Sequence, residues 1–236
     1  MSTEVTIHSA QTSILRELLF RPQAGYTELQ KPTGLTSDHF NFHIGRLTEL
    51  GLVEKVARGT YRLSAKGKEY ANRMDTDNNT VERQPKCTVI PAIERINGGK
   101  KEYIFQERLK NPYYGFWSLP SGKIRWGESI VEAAAREALE ETGLEAMFEA
   151  AGVYHERVYE AETGDLLEDK IFFVVRGTHP KGDFTADFEG GHNEWLTPEA
   201  ASRKGKIFDS LASELQILTG RQWLVERVAR YSKADF

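Results

Sequence analysis

Three glutamates crowd one turn of a helix in the stretch Gly122–Leu144, GKIRWGESIVEAAAREALEETGL, where Glu137, Glu140 and Glu141 stand at i, i+3 and i+4. Carboxylates so placed repel one another, and that side carries none of the i+4 lysines of an ordinary solvated helix. Hard divalent cations with oxygen ligands suit such a cluster. The opposite side carries Ile130, Ala134 and Ala138, slim enough for the helix to lie close against a sheet. Ser129 with Glu132 three residues on is a capping box, which starts the helix at about Ser129 and leaves Glu128 at the loop–helix junction. Thr142-Gly143 is the expected C-terminal stop.

This spacing resembles the Nudix box, with its fixed positions filled by Gly122, Glu128, Arg136, Glu137, Glu140, Glu141 and Gly143. The preceding WSLPSG run, Trp117 to Gly122, is similar to the family's Trp-x-Leu-Pro-Gly-Gly except at Ser121. The resemblance implies hydrolysis of the diphosphate bond in a nucleoside diphosphate linked to another moiety. It also implies Mg²⁺, with Mn²⁺ as the second candidate, held by Glu137, Glu140 and Glu141 with help from the Ser121 carbonyl and Glu128. A backbone oxygen needs no particular side chain, so a serine at 121 is compatible with that role. Arg136 stands four residues before Glu140 and is expected to orient a carboxylate. The physics agrees: water cannot approach phosphorus in a diphosphate until cations screen its charge. The general base stays open between Glu137, Glu189 and Glu194, because reach to the attacking water is a matter of geometry.

Tyr113, Tyr114, Phe116 and Trp117 either stack on a base or ribose or pack locally. His155, His179 and His192 lack ligand spacing and are read as structural or solvated, and Cys87 at a strand start is read as core. No single nucleotide substrate is favoured: the neighbourhood of Tyr154 and Tyr159 matches no substrate subfamily clearly, and the SQPWPFP-type run of NADH diphosphatases is absent.

At 236 residues with 39% apolar content, the chain is long enough for two globular cores. One cysteine excludes an internal disulfide and a thiolate metal cluster, and suits a reducing compartment. The start, MSTEVTIHSAQTS, has no signal-peptide pattern, and no apolar run approaches the ~18 residues of a membrane span. A cytoplasmic protein with no membrane partner is expected. The net charge of -4 is uneven: residues 1–75 hold 10 Lys and Arg against 8 Asp and Glu, the remainder 21 against 27. The small positive excess at the front does not by itself identify a nucleic-acid binder.

In that front part, Ile14, Leu15, Leu18 and Leu19 form an apolar helical stripe from Ser9 to about Phe20, stopped at Arg21-Pro22. A short helix is expected over Thr27–Lys31, and a third from Thr36-Ser37 to Leu50 with Phe40, Ile44 and Leu47 inward. Strands Leu52–Ala57 and Thr60–Ser64 turn at Arg58-Gly59, and a last helix spans Ala65 to about Met74. This order resembles a winged helix-turn-helix over about residues 9–74. It implies double-stranded DNA as partner, with His39, Asn41, His43 and Arg46 toward the major groove and Lys55, Arg58 and Arg62 toward phosphates. Protein contact or dimerisation is the other reading, and a homodimer is expected. Gly45 interrupts the third helix at a cost of about 1 kcal/mol, for which close packing is one reason. The polar segment Met74–Lys86 reads as a linker.

Beyond it, strands are expected at Cys87–Arg95, Lys101–Leu109, Met147–Tyr159, Lys170–Gly177 and Asn193–Leu196, with a loop over 178–193. Helices are expected at Phe208–Leu218 and Arg221–Tyr231. The expected class is α+β: an N-terminal winged helix-turn-helix domain over 1–75, a linker over 76–86, and a C-terminal Nudix α/β/α sandwich with C-terminal helices over 87–236. Two functions follow. One is an active metal-dependent hydrolase; the other is a transcription regulator in which the Nudix domain senses a nucleotide metabolite. A pure interaction scaffold is the third, and the retention of every box carboxylate speaks for catalysis.

Overall fold

A computed structural model describes residues 7–75, 77, 80–81 and 83–235. The expectations for residues 1–6, and for 76, 78, 79 and 82 of the linker, lie outside the described residues. The chain divides into two compact units, Met1–Arg83 and Gln84–Phe236. Among the described residues, no helix is long and apolar enough to cross a membrane.

The first unit runs α1 (Ser9–Leu19), β1 (Ala24–Gly25), α2 (Tyr26–Gln30), a 3-10 turn (Lys31–Thr33), α3 (Ser37–Glu49), β2 (Val53–Ala57), β3 (Thr60–Leu63) and α4 (Ala65–Ala71), and ends in the paired β4 (Met74–Asp75) and β5 (Thr80–Val81). His8 starts α1: its Nδ1 accepts from the Ala10 N–H at 3.1 Å, while Gln11 accepts from the His8 N–H at 2.9 Å. The helical period then turns Ile14, Leu15 and Leu18 toward Phe40, Ile44 and Leu47 of α3, over Leu52 and the ribbon residues Val53, Tyr61 and Leu63. β1 adds a third strand to that ribbon, Ala24 facing Tyr61, which two residues are too few to announce. The linker reading needs correction at its edges. Met74 is buried in this core, and Met74 and Asp75 pair with Val81 and Thr80. Close packing does not explain Gly45, because a Cβ there would meet nothing within 4 Å.

The second unit runs β6 (Lys86–Asn97), β7 (Lys100–Arg108), β8 (Phe116–Ser118), β9 (Gly122–Lys123), α5 (Ile130–Thr142), β10 (Leu144–Glu160), β11 (Leu166–Gly182), β12 (Asp187–Phe188), β13 (Gly191–Leu196), α6 (Pro198–Ala201), β14 (Lys206–Ile207), α7 (Leu211–Leu218) and β15 (Leu224–Tyr231). Its main sheet has the order β12-β13-β7-β6-β11-β10-β15, with β9 paired to β6, β8 to β7 and β14 to β8. The two-residue alternation of strands puts a helix on each face. Val89 of β6 and Val175 of β11 pack on Ala133 and Ala134 of α5. Their neighbours Ile90 and Val174 pack on Leu211, Ile217 and Leu218 of α7.

Three expectations for this unit are corrected. Arg221–Tyr231 is not a helix: Leu224–Tyr231 forms β15, parallel to β10 from Val153↔Leu224 to Glu160↔Tyr231. Its buried residues, Ala229 and Tyr231, are two apart, the strand period, and β10 offered an unpaired edge. The 178–193 stretch is largely strand, because β11 continues to Gly182 opposite Leu144. Cys87 is exposed rather than core.

Since Gly45 occupies a helix interior with open space around it, Gly45→Ala is expected to raise the stability of the first unit by about 1 kcal/mol. Thermal denaturation of the full chain checks this, and a lowered midpoint would contradict it.

Candidate active site

β6 and β7 are paired only from Glu94↔Tyr103 to Asn97↔Lys100, and then they part. β6 goes on to pair with β11 and β9, β7 with β13 and β8. In the opening lies a cavity of about 660 Å³, lined by Lys86, Thr88 and Ile90 of β6 and by Gln106 and Arg108 of β7. Glu137, Glu141, Ser121 and Gly122 border it from the α5 side.

α5 begins and ends as its sequence demands. The Ser129 N–H donates to Glu132, the Glu132 N–H to Ser129 Oγ, and Gly143 closes the helix at φ +71°, donating to the Leu139 carbonyl. Arg136 is the hub of the acidic face. Its Nε and Nη2 donate to the two oxygens of Glu128 at 2.5 and 2.8 Å. Its Nη1 donates to Glu137 at 2.6 Å and Glu140 at 3.2 Å, and Nη2 also reaches the Lys123 carbonyl at 3.0 Å. The bond from Arg136, with the Arg125 N–H behind it, holds the Glu128 carboxyl down at about 2. Arg125 braces Glu140 from outside at 3.2 Å.

Gly122 has a steric reason to be glycine: a Cβ there would stand 1.9 Å from the Glu137 carboxyl carbon. Glu141 is held differently. It is buried, its Oε2 accepts from Gln106 at 2.9 Å, and burial raises its carboxyl. Gln106 also donates to Asn193, whose own amide donates to the carbonyls of Glu141 and Thr185 at 2.7 and 3.0 Å.

The donor set is all oxygen, which fits a hard divalent cation. Among the described residues, no three acidic, histidine or cysteine side chains converge on one point. Arg136 and Arg125 hold Glu128, Glu137 and Glu140, while Gln106 holds Glu141. Of the five residues expected to hold metal, Glu137, Glu141 and Ser121 border the cavity, and Glu128 and Glu140 stand behind them on the two arginines.

Other expected site residues lie elsewhere. Glu194 is engaged by Lys204 at 2.7 Å and His192 at 3.5 Å, Glu189 sits in the exposed turn between β12 and β13, and neither lines the cavity. The stacking role expected for Phe116 and Trp117 is corrected. Phe116 is packed among Tyr113, Phe208 and Tyr231, and the Trp117 ring is covered by Lys204 Nζ at 4.0 Å. Tyr113 borders the cavity from within that cluster, and Tyr114 is exposed. His155 lies between Asp169 and Glu226, each at 2.8 Å, and His192 lies against Asp187 at 2.7 Å.

In the first unit, His39, Asn41 and Arg46 are exposed on α3, and Lys55, Arg58 and Arg62 on the ribbon. Arg46 is paired with Glu49 and Arg62 with Glu54. His43 is half-buried, stacked on His8 with ring centroids 4.6 Å apart. Burial, with His8 and His39 nearby, lowers its imidazole.

Sequence reasoning missed a second acidic group on the α7 side of the cavity: Glu156 of β10, Glu168 of β11 and Glu214 of α7, all buried. Tyr154 Oη donates to Glu156 at 2.6 Å, and Lys86 and Lys170 pair with Glu168. Glu214 is 4% exposed, and burial, opposed by a bond from Ser210 and reinforced by Glu156, pushes its carboxyl up to about 7. The signal was available. Glu156 follows inward-facing Tyr154 at strand period, and Glu214 stands on the Leu211–Leu218 apolar stripe.

The sequence model of the NUDIX domain matches residues 88–214. The chain is 31% identical over 93 residues to the 8-oxo-dGDP phosphatase NUDT18 of Danio rerio, covering 39% of this chain and 26% of that protein. It is 32% identical over 88 residues to the ADP-ribose pyrophosphatase of Methanocaldococcus jannaschii, covering 36% of this chain and 50% of that protein. It is 36% identical over 83 residues to a putative 8-oxo-dGTP diphosphatase of Bacillus subtilis, at 35% and 50%. The matched segment thus spans half or less of these curated relatives. Among solved structures, the NUDIX domain of Shewanella oneidensis NrtR complexed with ADP ribose shares the fold. Its TM-score is 0.51 at 15% identity, covering 65% of this chain and 96% of that one.

The buried Glu214 carries a pH signature. Its folded-state value, about 7, lies above the ordinary 4.5, so the stability linked to its protonation is full below about 4.5 and is lost as pH rises through about 7. The groups around it are Ser210, Glu156, Tyr154 and Tyr231, with Arg227 acting on Glu156. Glu214→Gln is therefore expected to match the parent near pH 4 and to exceed it by on the order of 1–3 kcal/mol near pH 8. Thermal denaturation at the two pH values checks this, and parallel profiles for the two proteins would contradict it.

Proposed function

Because the chain belongs to the NUDIX domain family, we propose that it is a divalent-metal-dependent hydrolase of the diphosphate bond in a nucleoside diphosphate linked to another moiety. The observation that carries the proposal is the placement of Glu137 and Glu141 on a cavity of ligand size, with the rest of the box folded behind them. Glu137, Glu140 and Glu141 would hold Mg²⁺ or Mn²⁺, with the Ser121 carbonyl and Glu128 in support. The bound cation supplies charge screening of the diphosphate and activation of the attacking water.

The protein's own side chains do the rest. Arg108, Lys110, Lys123 and Arg125 border the same cavity and draw the phosphates toward the carboxylate side. Arg136 acts as a positioning residue, keeping Glu128, Glu137 and Glu140 in one array. Of the three general-base candidates, Glu137 alone borders the cavity, so it is the one in reach of a water there. ADP-ribose, 8-oxo-dGDP and 8-oxo-dGTP, named with the relatives, head the substrate panel.

A second activity rests on the first unit, where Lys55 and Arg58 stand exposed on the ribbon and α3 exposes His39, Asn41 and Arg46. In the winged-helix reading these surfaces meet double-stranded DNA, and nucleotide chemistry in the second unit serves as catalysis or as signal.

Glu137→Gln and Glu140→Gln should each lower Mg²⁺-dependent product release by at least about a hundredfold, with circular dichroism unchanged. Undiminished activity in both variants would sink the catalytic assignment. For DNA, fragments from the upstream region of its own gene should shift at low salt, with affinity falling as salt rises and on Lys55→Ala or Arg58→Ala. No shift at low salt would remove this second activity.

A further inference from the structure

We propose that the Glu214–Glu156 end of the cavity is a nucleobase subsite that recognises an exocyclic amino group. This rests on the hydrolase reading for the rest of the substrate. One carboxyl oxygen of Glu214, Oε2, is buried with no hydrogen-bond partner, although the residue borders the cavity. Around it stand Ser210, which donates to it, the phenols of Tyr154 and Tyr231, and a second buried acid, Glu156, which accepts from Tyr154 Oη. A buried acceptor without a donor is costly, and a ligand N–H placed there removes the cost.

The charges along the cavity say which part of a nucleotide lies here. Lys86 and Lys170 are taken by Glu168, and the Nη1 of Arg227 by the Asp209 carbonyl and Ser213. Two acids close together repel phosphate, whereas Lys110 lies in the field of Glu141, Arg125 is on Glu140 and Lys123 follows Gly122 on β9, with Arg108 between Glu141 and Glu168 and bonded to the Asn111 and Pro112 carbonyls. Phosphates therefore belong with the basic group and the neutral, donor-bearing base with Glu214. Phe172, stacked on Tyr154, supplies flat apolar surface on the same lining. A site whose buried acceptor needs a donor discriminates against an analogue lacking that donor more strongly than apolar fit can.

Three matched pairs differ in an exocyclic amino group: ADP against purine riboside 5′-diphosphate, GDP against IDP, and CDP against UDP. Their affinities for the full-length protein with Mg²⁺ are measured by titration calorimetry, and product release is followed in parallel with the three panel substrates above. In at least one pair the amino-bearing member should bind at least about tenfold more tightly, and Glu214→Leu should reduce that ratio below about threefold. Ratios under threefold in all pairs of the unmodified protein, a measurement that needs no variant, overturn the inference. So does a ratio that Glu214→Leu leaves intact. Should the leucine variant fail to fold, Glu214→Ala takes its place under the same criterion. Preference in binding without any product release supports the subsite and overturns the hydrolase reading. Release without preference overturns the subsite alone.

Discussion

The guanidinium of Arg136 faces three carboxylates that would otherwise repel one another across a single helical turn and its preceding loop. It binds Glu128 through two nitrogens, Glu137 and Glu140 through a third interaction site, and the Lys123 backbone as well. Lysine, with one compact charged nitrogen, could not span these acceptors, whereas the planar fork of arginine does. The loop before α5 is thereby fastened to the helix itself, and the Arg125 N–H on Glu128 adds a second fastening. Gly122 completes the arrangement by letting the loop backbone pass against Glu137.

That local order is useful because of where the sheet puts it. Ala133, Ala134 and Ala138 bring α5 close to the strands, so its acidic edge reaches the place where β6 and β7 part. On the other face α7 and β10 carry their own acids to the same opening. The cavity is thus bounded by two acidic groups with different fates. One is held by two arginines and Gln106; the other is buried throughout, with an oxygen of Glu214 left unpartnered.

The box helix was legible in sequence almost to the residue, because a capping box, a glycine stop and a one-sided apolar stripe all agree on its limits. In the first unit α1, α2, α3, β2, β3 and α4 were legible from their apolar periods and turns, whereas β1 and the β4–β5 pair were too short to leave a pattern. What escaped depended on partners distant in the chain. β15 carries apolar residues at a spacing compatible with a helix, and only the free edge of β10 decides for strand. Phe116 and Trp117 sit in a motif beside the site, yet Phe208, Tyr231 and Lys204 cover them from far downstream. Glu156 and Glu214 escape a sequence reading because polar residues on inward positions are easily passed over. Their meaning comes from a cavity that no local pattern describes.

The parting of β6 and β7 also fixes where the second unit can yield. The strands around β7 and β13 and those around β11 and β10 are each tied by long ladders, while the ladder that joins β6 to β7 is the four pairs from Glu94↔Tyr103 to Asn97↔Lys100, with a single main-chain bond from Tyr113 to Asp235 further on. The Gln106–Glu141 and Asn193–Glu141 bonds bridge the same gap at its open end. The width of the cavity is therefore set at one end by the hairpin ladder and at the other by those two amides. A side chain too short to replace Gln106 or Asn193 would leave that second fastening undone while the hairpin stayed whole.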